Sequence, residues 1–184
     1  LIKTIEDRIG KENMKNKISL LHCVTSYPVE DKYANLRSIS YLIKNFDINI
    51  GYSDHTIGNE ACLASIALGA KIIEKHFTLD KNFSKFRDHA LSADFSDLKD
   101  LVTGIRKIEK QIGEYNKKIA SPEKKLIKKI RRGIYTKRSV EIGEKINSLD
   151  FAFLRPSRSN DFLYIKKNFG KKIKKQKKQN QIIS

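Results

Sequence analysis

The sequence predicts an α/β protein: strand–helix units of the TIM-barrel type, followed by a small β-rich segment. Three observations predict it. Short apolar runs suited to buried strands alternate with amphipathic helical patterns across short links, as a parallel sheet requires. Three such strands are readable, at Ile18–Val24, Ile48–Tyr52 and Lys71–Phe77. Beyond Ile130 the pattern changes to brief apolar segments punctuated by turns.

In order along the chain, Leu1, Ile2, Ile5 and Ile9 form a helical stripe that Gly10 ends. The strand Ile18–Val24 leads into Thr25-Ser26-Tyr27-Pro28, where Pro28 bars further ladder bonding. Cys23, Thr25 and Tyr27 alternate onto one face, with His22 on the other as a packing histidine. Leu36, Ile39, Ile43 and Phe46 predict a helix over Tyr33–Phe46. Glu60–Leu68 is the next helix, with Gly69 at its C-terminal turn. Leu79–Asp94 reads as a long loop. Ser96 is placed to cap a helix with the stripe Leu98, Leu101, Val102, Ile105, Ile108 and Ile112, ended by Gly113. The domain reading is residues 1–113 for an incomplete barrel, 114–129 for a linker that is partly helical, and 130–184 for the β-rich domain.

The stretch Ile48–Asp80 organises the rest. Its first strand runs into Ser53-Asp54-His55-Thr56 and its second into Glu74-Lys75-His76-Phe77. A strand–helix–strand unit this short favours parallel pairing, which puts both polar ends at one sheet edge. Ser53 and His55 share a strand face, as do Glu74 and His76. Neighbouring strands lie ~4.8 Å apart, so two imidazoles, a hydroxyl and a carboxylate can converge where a barrel keeps its chemistry. Two strand-end histidines can ligate a divalent metal and leave positions open to substrate. Taken singly, each can equally cap a strand end.

Gly51-Tyr52-Ser53-Asp54-His55-Thr56 and Glu74-Lys75-His76-Phe77-Thr78-Leu79-Asp80 resemble the signature of the sialic acid synthase family. Leu20-Leu21-His22-Cys23 with Tyr27-Pro28 is similar to a third motif of that family. The resemblance implies the C-terminal part of a (β/α)8 TIM barrel followed by a small antifreeze-protein-like (SAF-type) domain. It implies condensation of phosphoenolpyruvate with an N-acetylated hexosamine such as N-acetylmannosamine, with release of phosphate. His55 and His76 would hold the metal, Mn²⁺ or Mg²⁺. Ser53 would contact phosphoenolpyruvate and Glu74 would lie beside the reacting centre. Tyr27 and Asp88 would contact the hexosamine, and Thr25 is a further substrate-binding candidate. Arg155 would reach the N-acetyl group from the partner subunit of a homodimer. The family commonly has Gly-Pro before its Asp-His, where this chain has Phe86-Arg87, and Arg-Pro-Gly where this chain has Ser157.

A closed eight-unit barrel needs roughly 200 or more residues, and the chain has 184. The resemblance implies the same shortfall: the chain looks like the C-terminal half of a synthase, without roughly the first five strand–helix units. Three strands cannot close a barrel, so these residues alone are expected to be inactive, with the apolar faces of Leu20, Ile50 and Ile73 uncovered. A net charge of +17 admits a nucleic-acid partner, but the lysines are spread along the chain without interleaved aromatics, and an anionic substrate fits as well. A non-catalytic module of the same fold is the other alternative. Two cysteines give no disulfide framework and suit a reducing cytoplasm. No run of 18 apolar residues is present, so no membrane span is expected.

Overall fold

The computed structural model describes residues 1–84, 87–157 and 169–182. The chain divides into two compact units, Leu1–Tyr115 and Asn116–Ser184.

The first unit is a three-stranded parallel sheet in the order β1 (Ser19–Cys23), β2 (Asn49–Asp54), β3 (Ile72–Lys75). The register pairs Leu21 with Gly51 and Gly51 with Ile72, then Cys23 with Ser53 and Ser53 with Glu74. Helices α3 (Arg37–Asn45), α4 (Glu60–Ala67) and α6 (Phe95–Ile112) supply the apolar cover. Ile39, Ile50, Tyr52, Cys62, Ala70 and Leu101 form the buried core, with Leu20 and Ile73 packed against it. The parallel strand–helix alternation expected of a barrel segment is therefore present.

Which face is uncovered differs from expectation. Leu20, Ile50 and Ile73 lie on the helix side and are not the exposed set. The opposite face carries Leu21, Gly51 and Ile72, with Ile72 37% exposed. Strand parity explains this, because Ser53 and His55 place Gly51 on their own face and Ile50 on the other.

Several boundaries also move. The N-terminal helix α1 (Ile2–Ile9) stops at Gly10 (φ 80°), but a second helix, α2 (Lys11–Lys17), follows. Its sequence KENMKNK has no apolar stripe, and only Met14 is buried. The helix expected from Tyr33 begins at Arg37, preceded by a single 3₁₀ turn at Asp31–Tyr33. Asn35 sits between them at φ 44°, a left-handed conformation that interrupts a right-handed helix and that Asn tolerates better than most residues.

Ser96 does not cap α6. Asp94 does so, accepting from the Asp97 amide at 2.9 Å, while the Asp97 carboxylate accepts from the Asp94 amide at 3.2 Å. This reciprocal box satisfies two orphan donors where a Ser two residues later, inside the first turn, cannot. The loop after β3 is not wholly irregular, since Arg87–Leu91 forms the short helix α5.

In the second unit, Ser121–Ile130 is a ten-residue helix, α7, with proline in its first turn, where its missing N–H costs nothing. Most of the expected linker, residues 114–129, is thus helical. β4 (Gly133–Thr136) and β5 (Phe151–Leu154) pair antiparallel, Gly133 opposite Leu154 and Thr136 opposite Phe151. Isolated bridges join Tyr135 to Ile182, Val140 to Lys177 and Lys145 to Lys172. The lysine-rich tail from Lys166 to Ser184 reads in sequence either as a disordered basic arm or, preferably, as the small domain's final strands. Its residues 166–168 and 183–184 lie outside the described residues, while residues 169–182 are woven into the unit. Ile134, Val140, Ile146 and Phe151 make its small core, and Arg138 ties Asp150 at 2.7 Å to Glu144 at 2.8 Å. No helix among the described residues is long and apolar enough to cross a membrane.

Candidate active site at the strand ends

The carboxyl ends of β2 and β3 line a cavity of about 260 Å³ formed by Ser53, Asp54, His55, Glu74, Lys75 and His76. The two imidazoles converge there, with ring centroids 5.2 Å apart. Tyr27 packs on both, 4.1 Å from the His55 ring and, edge-on, 5.7 Å from the His76 ring. One layer lower, the Ser53 hydroxyl donates to Glu74 Oε1 at 2.6 Å.

The backbone explains how Tyr27 arrives. After β1 the chain turns at a cis Tyr27-Pro28 bond, and the Val29 amide donates to the His55 carbonyl at 2.9 Å. The segment is thereby pinned to the same residue that Tyr27 covers. His55 is also fixed through its ring, since Nδ1 lies 3.0 Å from the Val24 carbonyl. A carbonyl only accepts, so Nδ1 carries a proton, and in the neutral ring Nε2 keeps its lone pair. This is how a ligating histidine is oriented by a partner behind it. His76 is held by its backbone, its carbonyl accepting from the Ala93 amide at 2.8 Å.

Other expected residues fall differently. Thr25 is exposed beyond the end of β1. Asp88 lies half-buried on α5. His89 is occupied structurally: the Thr78 hydroxyl donates to the Asp80 carbonyl at 3.0 Å, so it accepts from His89 Nδ1 at 2.9 Å. His22 packs as expected, its Nε2 donating to the Ala34 carbonyl at 2.9 Å and its ring stacked on Tyr52 at 5.8 Å. Arg155, exposed and followed by a cis Pro156, belongs to the second unit. Phe86 lies outside the described residues.

Beneath the site lie buried charged groups that are not among the residues the sequence singles out. Asp54 and Lys75, opposite each other in the ladder, form an ion pair at 2.6 Å with side chains 0% and 4% exposed. Burial pushes the Asp54 carboxyl upward. Hydrogen bonds from Lys75, the Thr56 amide and Cys62 outweigh that and hold it below the usual carboxylate range. Burial, then the Asp54 charge, pushes the Cys62 thiol and the Tyr52 phenol far above their ordinary values. Both therefore stay protonated and donate to Asp54, at 3.1 and 3.0 Å. Strand alternation carried the signal. It puts Asp54 on the same face as Ile50 and Tyr52, where a carboxylate needs a partner.

The chain resembles known proteins over most of its length. The chain is 42% identical over 176 residues to the uncharacterized protein MJ1065 of Methanocaldococcus jannaschii, covering 96% of this chain and 52% of that one. It is 38% identical to the N,N'-diacetyllegionaminic acid synthase of Campylobacter jejuni, covering 92% of this chain and 50% of the relative. The chain thus spans about half the length of these curated relatives. Among solved structures, the N-acetylneuraminic acid synthetase of Leptospira borgpetersenii in complex with citrate matches 67% of this chain and 43% of its own. That match has a TM-score of 0.59 and 38% identity. The profile of the NeuB family matches residues 2–117, the stretch that holds all three strands of the first unit and both strand-end histidines, and the chain belongs to the NeuB family.

Proposed function

We propose that this chain supplies the metal- and substrate-binding strand ends of a synthase that condenses phosphoenolpyruvate with an N-acetylated hexosamine, such as N-acetylmannosamine, and releases phosphate. The convergence of His55, His76 and Tyr27 above the Ser53–Glu74 hydrogen bond carries this reading. The names of the Campylobacter and Leptospira relatives support the same class of product.

The donor set suits a divalent cation in part. His55 Nε2 is available, and a second imidazole lies beside it. Among the described residues no group of three or more His, Cys, Asp or Glu side chains could hold a metal ion. His55 and His76 would therefore hold Mn²⁺ or Mg²⁺ together with ligands from outside this set. When bound, the ion would polarise the sugar aldehyde as a Lewis acid and stabilise the alkoxide formed there.

In this reading Ser53 contacts phosphoenolpyruvate, Tyr27 and Asp88 position the hexosamine, and Thr25 is a further substrate contact. Glu74, which accepts from the Ser53 hydroxyl at 2.6 Å, would take or return a proton at the reacting centre. Residues 130–184 are assigned to the antifreeze-protein-like domain, with Arg155 reaching the N-acetyl group across a homodimer. The small β core at Ile134, Val140, Ile146 and Phe151 supports that assignment.

The test is a phosphate-release assay on the full-length protein carrying this chain, with phosphoenolpyruvate, Mn²⁺ and a panel of N-acetylated hexosamines. Release that depends on the sugar, with a condensed keto acid in the mass spectrum, is the expected outcome. Release without sugar, or none with any hexosamine, would remove the proposal.

A further inference from the structure

Asp54 directly precedes His55, and Lys75 directly precedes His76. The ladder sets Asp54 opposite Lys75, so their ion pair joins the two positions from which both imidazoles depart. The carboxylate is saturated. Oδ1 accepts from Tyr52 Oη at 3.0 Å and the Thr56 amide at 2.9 Å. Oδ2 accepts from Lys75 Nζ at 2.6 Å and Cys62 Sγ at 3.1 Å. Lys75 Nζ also donates to the Thr56 carbonyl at 3.1 Å. Thr56 is thus gripped at its N–H by Asp54 and at its C=O by Lys75. His55 lies between two residues that cannot shift without breaking charge-assisted bonds.

We propose that the Asp54–Lys75 pair is a positioning device that fixes the separation of His55 and His76 for divalent-metal binding; this rests on the metal-site reading given above. A purely stabilising role would be a poor use of the pair. Taking two charges out of water offsets most of their attraction, and buried pairs replaced by neutral groups of similar size often leave stability unchanged. What this pair does is hold together the two residues that precede the imidazoles, Asp54 and Lys75, at 2.6 Å across the ladder. That contact is one covalent step from each imidazole. Groups that orient metal ligands from behind typically alter affinity by about 10- to 100-fold when removed.

The experiment measures Mn²⁺ affinity calorimetrically and thermal unfolding in the full-length protein. The double variant Asp54→Asn/Lys75→Met leaves net charge unchanged, so a long-range electrostatic effect is cancelled. Tyr52→Phe removes one donor to Asp54 and keeps the ring, and serves where the double variant fails to fold. His76→Ala reports on the metal site itself. The expected result is an affinity loss of about tenfold or more in the double variant and a smaller but measurable loss in Tyr52→Phe. His76→Ala should lose more affinity than the double variant while still binding Mn²⁺ at high concentration, and Tyr52→Phe should melt within a few degrees of wild type. Wild-type Mn²⁺ affinity in a folded double variant, or in Tyr52→Phe where the double does not fold, overturns the positioning role while His76→Ala still loses affinity. Wild-type affinity in His76→Ala as well would overturn the metal site and the proposal with it.

Discussion

His55→Ala or His76→Ala in the full-length protein should abolish sugar-dependent phosphate release, by on the order of a thousandfold. A metal acting as Lewis acid contributes several kcal/mol to stabilising developing charge, and each ~1.4 kcal/mol is a factor of ten in rate. The two variants should differ in stability. His55 is 5% exposed and bonded to the Val24 carbonyl, so His55→Ala loses packing and a hydrogen bond together. His76 is half-buried, and His76→Ala should melt close to wild type while losing activity equally. Steady-state kinetics beside thermal unfolding would check this. Activity within tenfold of wild type in a folded His76→Ala enzyme would contradict the assignment.

Gly51→Ala should be the most damaging small substitution in the first unit. A Cβ at Gly51 would lie 2.7 Å from the Ile72 carbonyl oxygen, 2.9 Å from Ile72 Cβ and 3.1 Å from Leu21 Cγ. The nearest atom is backbone within the ladder, so relief requires the strands to separate rather than a side chain to turn. Overpacking of this kind costs roughly 1–3 kcal/mol, and the backbone clash argues for the upper end. For a unit of this size that corresponds to a fall in melting temperature of about 10 °C or more. Opening β2 from β3 would also spread His55 from His76, so metal affinity should fall with stability. A Gly51→Ala protein that melts as wild type would show that the strands pair more loosely than described.

Much of the first unit was legible because its strands are short apolar runs ending in polar motifs. The alternation at Ser53, His55, Glu74 and His76 was enough to place them together. Tyr27 was legible only through resemblance: β1 ends at Cys23, and what carries the ring onto His55 is the bond from the Val29 amide to the His55 carbonyl, which no spacing encodes. Helix α2 was illegible because KENMKNK buries one side chain and so leaves no period. The Asp54–Lys75 pair was within reach. Parity puts Asp54 with Ile50 and Tyr52, and the same parity shows that Ile50 could not be on the open face.

The most direct test of the strand-end metal site is pulsed electron paramagnetic resonance of Mn²⁺ bound to the full-length protein labelled with ¹⁵N-histidine. Coupling from two imidazole nitrogens is predicted, one of them lost in His55→Ala and the other in His76→Ala. Bound Mn²⁺ that shows no histidine nitrogen coupling, or coupling that survives unchanged in both variants, would contradict the account.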